Sequence, residues 1–354
     1  MMRRRARCNL VATWGNGSFT TGRVACARRQ LLQSRRGLDD CVQSHDGQAP
    51  VGSTQWGEPL LSHRLKWNIS RWSNLHAQGQ KRNIFLFSTA RSGSTWLMEL
   101  LATQRGMKVV NEPLLMTRFV GRSTPLPSSW ELLLPGPQRE PMLERYFSDL
   151  IANRLGVGVP MPFSKNHRWF SNRLLFKIQR CSDMMNWFER RFDGKIVYLV
   201  RHPIATAISR ERYGRLALFL DNEVFCHSFL SDELRAYGRS IVATGTELQK
   251  KVLDWCLQNL PPLRFLDRTR WVCLTYEDLV ARPEDTVSWL AETLELEQPE
   301  RILERIGAPS KTTNKSDAST RSLLQGMVDK SDRTYLLAKW RSKVDVDQER
   351  DAFK

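Results

Sequence analysis

Two short stretches of this chain carry residue types and spacings suited to holding an anion. In the first, Arg91-Ser92-Gly93-Ser94-Thr95, a glycine lets the backbone approach a phosphate or sulfate closely, and hydroxyl side chains add donors. The apolar positions of Trp96-Leu97-Met98-Glu99-Leu100-Leu101 predict a helix directly behind it. The N-terminal N–H groups and positive dipole end of that helix would face the same anion. Arg91 adds a permanent charge with several donors. Ser and Thr are also favoured at helix starts as caps, so the loop by itself leaves both readings open. The second stretch begins at Arg201, where the apolar run Lys195-Ile196-Val197-Tyr198-Leu199-Val200 ends, and Ser209 follows eight residues on. An Arg at a strand end meets an anion or solvent equally well. Ser209 is expected about two turns into the next helix.

The Walker pattern GxxxxGK followed by Ser or Thr is absent, and the Gly194-Lys195 pair precedes a strand. That argues against an ordinary NTPase or kinase. A kinase-like nucleotide-binding protein remains the nearest enzymatic alternative, with Glu277-Asp278 as its one evident acidic pair after a strand.

The elements that must position these residues alternate. Strands are predicted at 83–88, from 109, and at 174–178, 195–200 and 271–276. Helices are predicted at 96–101, 142–155, 184–192 and 205–215, as one long run at 235–258, and from 289. Five prolines break the stretch 117–141 into loop. Alternating strands and helices imply an α/β fold of three layers, a mainly parallel sheet with helices on both faces. Ligands in such folds bind beyond the carboxyl ends of the strands, where each motif begins.

Composition sets the frame. The 354 residues carry a net charge of +17, and residues 1–38 hold nine Arg, no Lys and no acid. Without those nine the remainder is +8, a moderately basic body suited to an anionic ligand. Residues 1–80 show no sustained periodicity and read as a basic, largely irregular extension, with the folded domain at 81–345. No apolar run reaches the roughly 20 residues that span a bilayer. The Arg-rich start lacks the apolar core of a secretory signal. It is read as an irregular extension of a cytoplasmic protein, with an organelle transit segment as the alternative. Seven Cys without CxxC spacing argue against a disulfide framework or a structural zinc site. A pI near 9.9 and twelve Trp suggest a polyanion- or nucleic-acid-binding protein as the non-enzyme alternative. The basic excess sits in the tail, however, and the reading adopted has no nucleic-acid partner.

Together the motifs resemble the family of sulfotransferases that use 3′-phosphoadenosine-5′-phosphosulfate (PAPS). The segment STARSGSTWL looks like its 5′-phosphosulfate-binding loop, and YLVRHPIATAISR looks like its 3′-phosphate-binding segment. LTYEDLVARPEDTVSWLAETLEL is similar to its later strand, turn and helix. The resemblance implies a P-loop-like fold, PAPS as donor, 3′-phosphoadenosine-5′-phosphate (PAP) as product, and no metal. Ser92, Gly93, Ser94, Thr95 and Trp96 would hold the phosphosulfate. Arg91 would sit near the bridging oxygen, Arg201 and Ser209 would grip the 3′-phosphate, and Tyr276 would line the nucleotide pocket. The segment 310–315, with Lys311, resembles a nucleotide-covering loop; a solvated turn is the other reading. Arg91 and Lys177 would stabilise the transferring group. Members acting on phenols and steroids carry a His two residues after the strand Lys, where this chain has Gln179. Glycan- and tyrosyl-protein-type members use a Glu after the phosphosulfate loop, and Glu112, 21 residues beyond Arg91, fits that place. The implied acceptor is a hydroxyl on a carbohydrate or glycan. His167 and His202 read as surface or structural residues.

Overall fold

The computed structural model describes residues 65, 68–115, 133–210, 216–308 and 334–354. Among them, five parallel strands form the central sheet: β1 (Ile84–Ser88), β2 (Met107–Asn111), β3 (Arg173–Ile178), β4 (Lys195–Val200) and β5 (Val272–Thr275). Their spatial order is β2-β3-β1-β4-β5. Leu86 of β1 stands between Lys177 of β3 and Val197 of β4. The chain leaves β1 in one direction to build β2 and β3, then returns to the other side for β4 and β5. The reversal opens a crevice at the carboxyl end of β1.

The strand sequences are almost wholly apolar because both faces of the sheet are covered. Alternate side chains of β1 go to opposite cores. Phe85 and Phe87 pack with Phe147, Phe176, Phe188 and Tyr198. Ile84 and Leu86 pack with Leu97, Leu101, Leu290 and Leu294. The helices α1 (Ser94–Leu101), α2 (Arg139–Ile151) and α3 (Met185–Phe192) supply part of this cover, α1 on one face and the other two opposite. The layered α/β fold read from the alternation is the fold observed.

Beyond β4 come α4 (Pro203–Ile208), α5 (Leu216–Asp221), α6 (Glu223–Phe229), α7 (Asp232–Thr244) and α8 (Glu247–Arg264). After β5 follow α9 (Tyr276–Ala281), α10 (Pro283–Leu294) and α11 (Glu300–Ile306).

Several boundaries differ from the sequence reading. The single helix expected over 235–258 is two. Thr246 accepts a bond from the Gln249 N–H, and the Gln249 side chain accepts one from Thr246, a reciprocal cap that restarts the chain as α8. Ser209 is the C-cap of a six-residue helix, not a residue two turns inside a longer one. The ordered body also reaches back before residue 81. Leu75–His76 pairs in parallel with Phe170–Ser171, and Asn74 is fully buried. A two-residue ladder leaves no periodicity to read. The four described cysteines, Cys181, Cys226, Cys256 and Cys273, are free thiols.

Candidate active site

The turn between β1 and α1 holds two residues at positive φ, Arg91 at 68° and Gly93 at 92°. The space at Gly93 requires glycine as well. A Cβ there would lie 2.6 Å from Tyr276 Cδ2, so the ring of α9 lies directly on the turn. Ser92 is fully buried and its Oγ donates to the Thr89 carbonyl at 2.8 Å. Its hydroxyl therefore holds the loop from within, where the sequence reading had it facing an anion. Ser94 and Thr95 open α1, and no side chain caps that helix. The first N–H groups of a helix have no acceptor within it, so they are available to an anion.

Lys177, on β3 beside β1, is 1% exposed. Its Nζ donates to Thr95 Oγ1 at 2.8 Å and to Glu112 Oε1 at 2.6 Å. One buried ammonium thus joins the anion loop to the carboxylate that ends β2. Glu112 is held there by backbone too: its N–H donates to the Lys177 carbonyl at 2.9 Å. Its φ of 49° lies in the left-handed region, a strain that bulky residues bear mostly where the surrounding structure imposes it.

The second motif meets the first directly. Arg91 Nε donates to Ser209 Oγ at 3.0 Å, and Arg201 Nη1 donates to the Arg91 carbonyl at 3.4 Å. The Arg201 guanidinium stands 4.3 Å over the Tyr276 ring, and Tyr276 packs against Trp96 at 5.6 Å. Arg91, Gly93, Trp96, Arg201, Ser209 and Tyr276, spread over 186 positions, therefore share one crevice. The structure brings Lys177, Thr95 and Glu112 to its neighbouring wall. Lys311 lies outside the described residues.

Supporting contacts came from residues that sequence reasoning passed over. Arg210 is buried and reaches the Ala90 carbonyl through Nε and Nη2, each at 3.3 Å. Arg210 is itself paired with buried Asp254 of α8. The Glu277 carboxylate accepts the His202 N–H at 3.1 Å, and Trp255 Nε1 donates to the Arg201 carbonyl at 3.1 Å, fixing the turn that presents Arg201. Arg210 closes the quoted motif, but its partner is 44 residues away and nothing local marks it. His202 stacks on Trp340 at 4.5 Å, and His167 Nε2 bonds the Ser73 carbonyl at 3.0 Å.

The crevice suits a polyanionic nucleotide on its own observations. The α1 N-terminus has no side-chain cap. Of the crevice residues, Arg201 has a buried Nε with no protein partner. Buried polar atoms are ordinarily satisfied, so this donor is available to a ligand or water. Among the described residues, no cluster of His, Cys, Asp and Glu could hold a metal ion.

A model of the sulfotransferase family matches residues 83–300. Comparison with curated proteins gave no match. Similar solved structures include a mouse sulfotransferase, SULT7A1, complexed with PAP. It is 15% identical, with 77% of this chain and 82% of that one covered and a TM-score of 0.37. The sulfotransferase domain of the Synechococcus PCC 7002 olefin synthase is 21% identical over 79% of this chain and 97% of its own, with a TM-score of 0.37. A sulfotransferase from Alicyclobacillus acidocaldarius is 14% identical, covering 74% and 100%, at 0.31. Matched over more than half its length by the family model, with its motifs gathered at the carboxyl end of β1, this chain belongs to the sulfotransferase family.

Proposed function

We propose that the chain transfers a sulfuryl group from PAPS to a hydroxyl of a carbohydrate or glycan, with Glu112 as general base. The contact of Lys177 with both Thr95 and Glu112 carries this reading, because it sets a cation and a carboxylate against the same anion loop. PAPS, when bound, supplies a sulfuryl group on a phosphate leaving group. The α1 N–H groups, Ser94 and Thr95 hold the phosphosulfate end. Arg91 and Lys177 donate to its oxygens, where charge grows as the S–O bond to the leaving phosphate breaks. Arg201 and Ser209 hold the 3′-phosphate, and the Tyr276 ring braces Arg201. Glu112 takes the proton of the attacking hydroxyl as the new S–O bond forms. The Lys177 ammonium, 2.6 Å from its Oε1, holds the carboxylate in place.

A small cleft of about 60 Å³ adjoins the loop and is lined by Ser88, Thr89, Gln179, Arg180 and Asp183. These groups, with the Phe219 and Phe225 rings, offer a sugar both hydrogen-bond partners and apolar faces. The apolar share of that wall, which also includes Leu133 and Leu257, favours a second reading in which the acceptor is an apolar alcohol. Transfer of labelled sulfuryl from PAPS to a saccharide panel and an apolar-alcohol panel tests the two. Labelled saccharides support the first, and labelled apolar alcohols alone replace it with the second. Glu112→Gln is expected to lower kcat by about 10²–10⁴ while PAP affinity stays unchanged. Unchanged kcat would remove Glu112 from the role of base.

A further inference from the structure

The face remote from the crevice mouth has an unusual surface. Around the small ladder of Leu75–His76 and Phe170–Ser171, five large apolar side chains stand in solvent. They are Trp72 (62% exposed), Leu75 (52%), Phe163 (91%), Trp169 (51%) and Phe170 (74%). Four of the five are linked. Leu75 and Phe170 are register partners, and the Phe163 and Trp169 rings lie 5.8 Å apart. Trp169 gives its carbonyl to the Leu75 N–H at 2.9 Å. Scattered exposed apolar residues need no explanation, whereas a contiguous patch of this kind marks an interaction surface. Phe163 adds a second anomaly: it holds a left-handed backbone, φ 61°, while presenting its ring to water.

The rim of the patch is basic. Arg71 lies 5.8 Å from the Trp72 ring centroid, and Arg154, Lys165 and Arg168 flank the same two segments. The acids bonded to this rim are Asp149, paired with Arg154, and buried Glu99, which takes both Lys165 and Arg305. These acids match Arg154 and Lys165, and Arg168 donates to the His167 and Ala102 carbonyls, so Arg71 and Arg168 carry the rim's excess positive charge. Aromatic rings that bury their bodies beside cations that reach headgroups are the combination that suits a lipid–water interface.

We propose that this aromatic, basic face docks the chain peripherally on a bilayer carrying anionic lipid. Phe163, Trp169 and Phe170 enter the headgroup boundary, and Arg71 meets the lipid phosphates. Lys165 connects the docking loop to Glu99 of α1, the helix whose N-terminus carries the anion loop. This inference stands apart from the sulfuryl-transfer reading and survives or falls separately.

The test is co-sedimentation of the full chain with phosphatidylcholine vesicles, with and without phosphatidylserine. Wild-type protein is expected on the phosphatidylserine vesicles. A Phe163→Ser, Trp169→Ser double variant should bind them about tenfold more weakly, with the basic residues 1–38 intact. Phe170→Ser should weaken binding in the same direction. Both change exposed side chains, and unchanged denaturation midpoints verify their folding. Brominated acyl chains should quench tryptophan fluorescence in wild type more than in Trp169→Phe. Equal vesicle binding by wild type and double variant would overturn the proposal, placing the contact on other basic segments. So would failure of the wild type to bind, or a wild-type dimer that the substitutions dissociate.

Discussion

Replacing Gly93 by Ala tests how the anion loop is held. At φ 92° a side chain meets the left-handed penalty, about 1–2 kcal/mol. The added methyl would also lie 2.6 Å from Tyr276 Cδ2 and 3.1 Å from Cε2. Carbon atoms rest roughly 3.5–4.0 Å apart, so the ring must retreat by about 1 Å. That ring is the platform for Arg201, whose guanidinium stands 4.3 Å above it. Gly93→Ala should therefore cost about 2 kcal/mol of stability in chemical denaturation. It should also weaken PAP binding about tenfold in calorimetry, because Arg201 moves with its platform. Adding Tyr276→Ala removes the clash and leaves the backbone penalty, so the double variant should be less destabilised than the sum of the singles. A Gly93→Ala protein with wild-type stability and PAP affinity would refute the reasoning, since neither the φ nor the ring contact would then matter.

Asp254→Ala leaves buried Arg210 without its carboxylate, and should cost about 3–5 kcal/mol by denaturation. It should also loosen the loop that Arg210 holds through Ala90. Lys108 is buried, donates to the Asn74 carbonyl at 3.1 Å and to Asn153 Oδ1 at 2.7 Å, and burial lowers its pKa to about 8. An unfolded lysine titrates near 10.4, so between those values the unfolded chain binds more protons and stability rises with pH, by about 3 kcal/mol in all. Denaturation across that window should show the rise in wild type relative to Lys108→Met; parallel curves would count against it.

Legibility in the sequence followed the range of the interactions. β4 was readable to the residue because its apolar run is bounded by Gly194 and Arg201 and fully buried in the middle. The break between α7 and α8 was written locally, in Gly245, Thr246 and Gln249, but the apolar period runs across it and hid the cap. The strand-end residues Arg91, Arg201 and Lys177 were visible because parallel-sheet folds place strand ends together. What the alternation did not disclose was which side chain serves which purpose. The Ser92 hydroxyl turned inward to Thr89, and Arg210 found Asp254 across 44 positions, both decided by tertiary packing.

The central claim, a crevice built for a nucleotide carrying both 5′- and 3′-charged groups, is tested most directly by calorimetric titration of the purified chain with PAP beside 5′-AMP. PAP should bind at least about a hundredfold more tightly, and Arg201→Ala should lose most of that advantage while leaving 5′-AMP binding nearly unchanged. Equal affinity for PAP and 5′-AMP in the wild type would contradict the account, because Arg201 and Ser209 would then hold no 3′-phosphate.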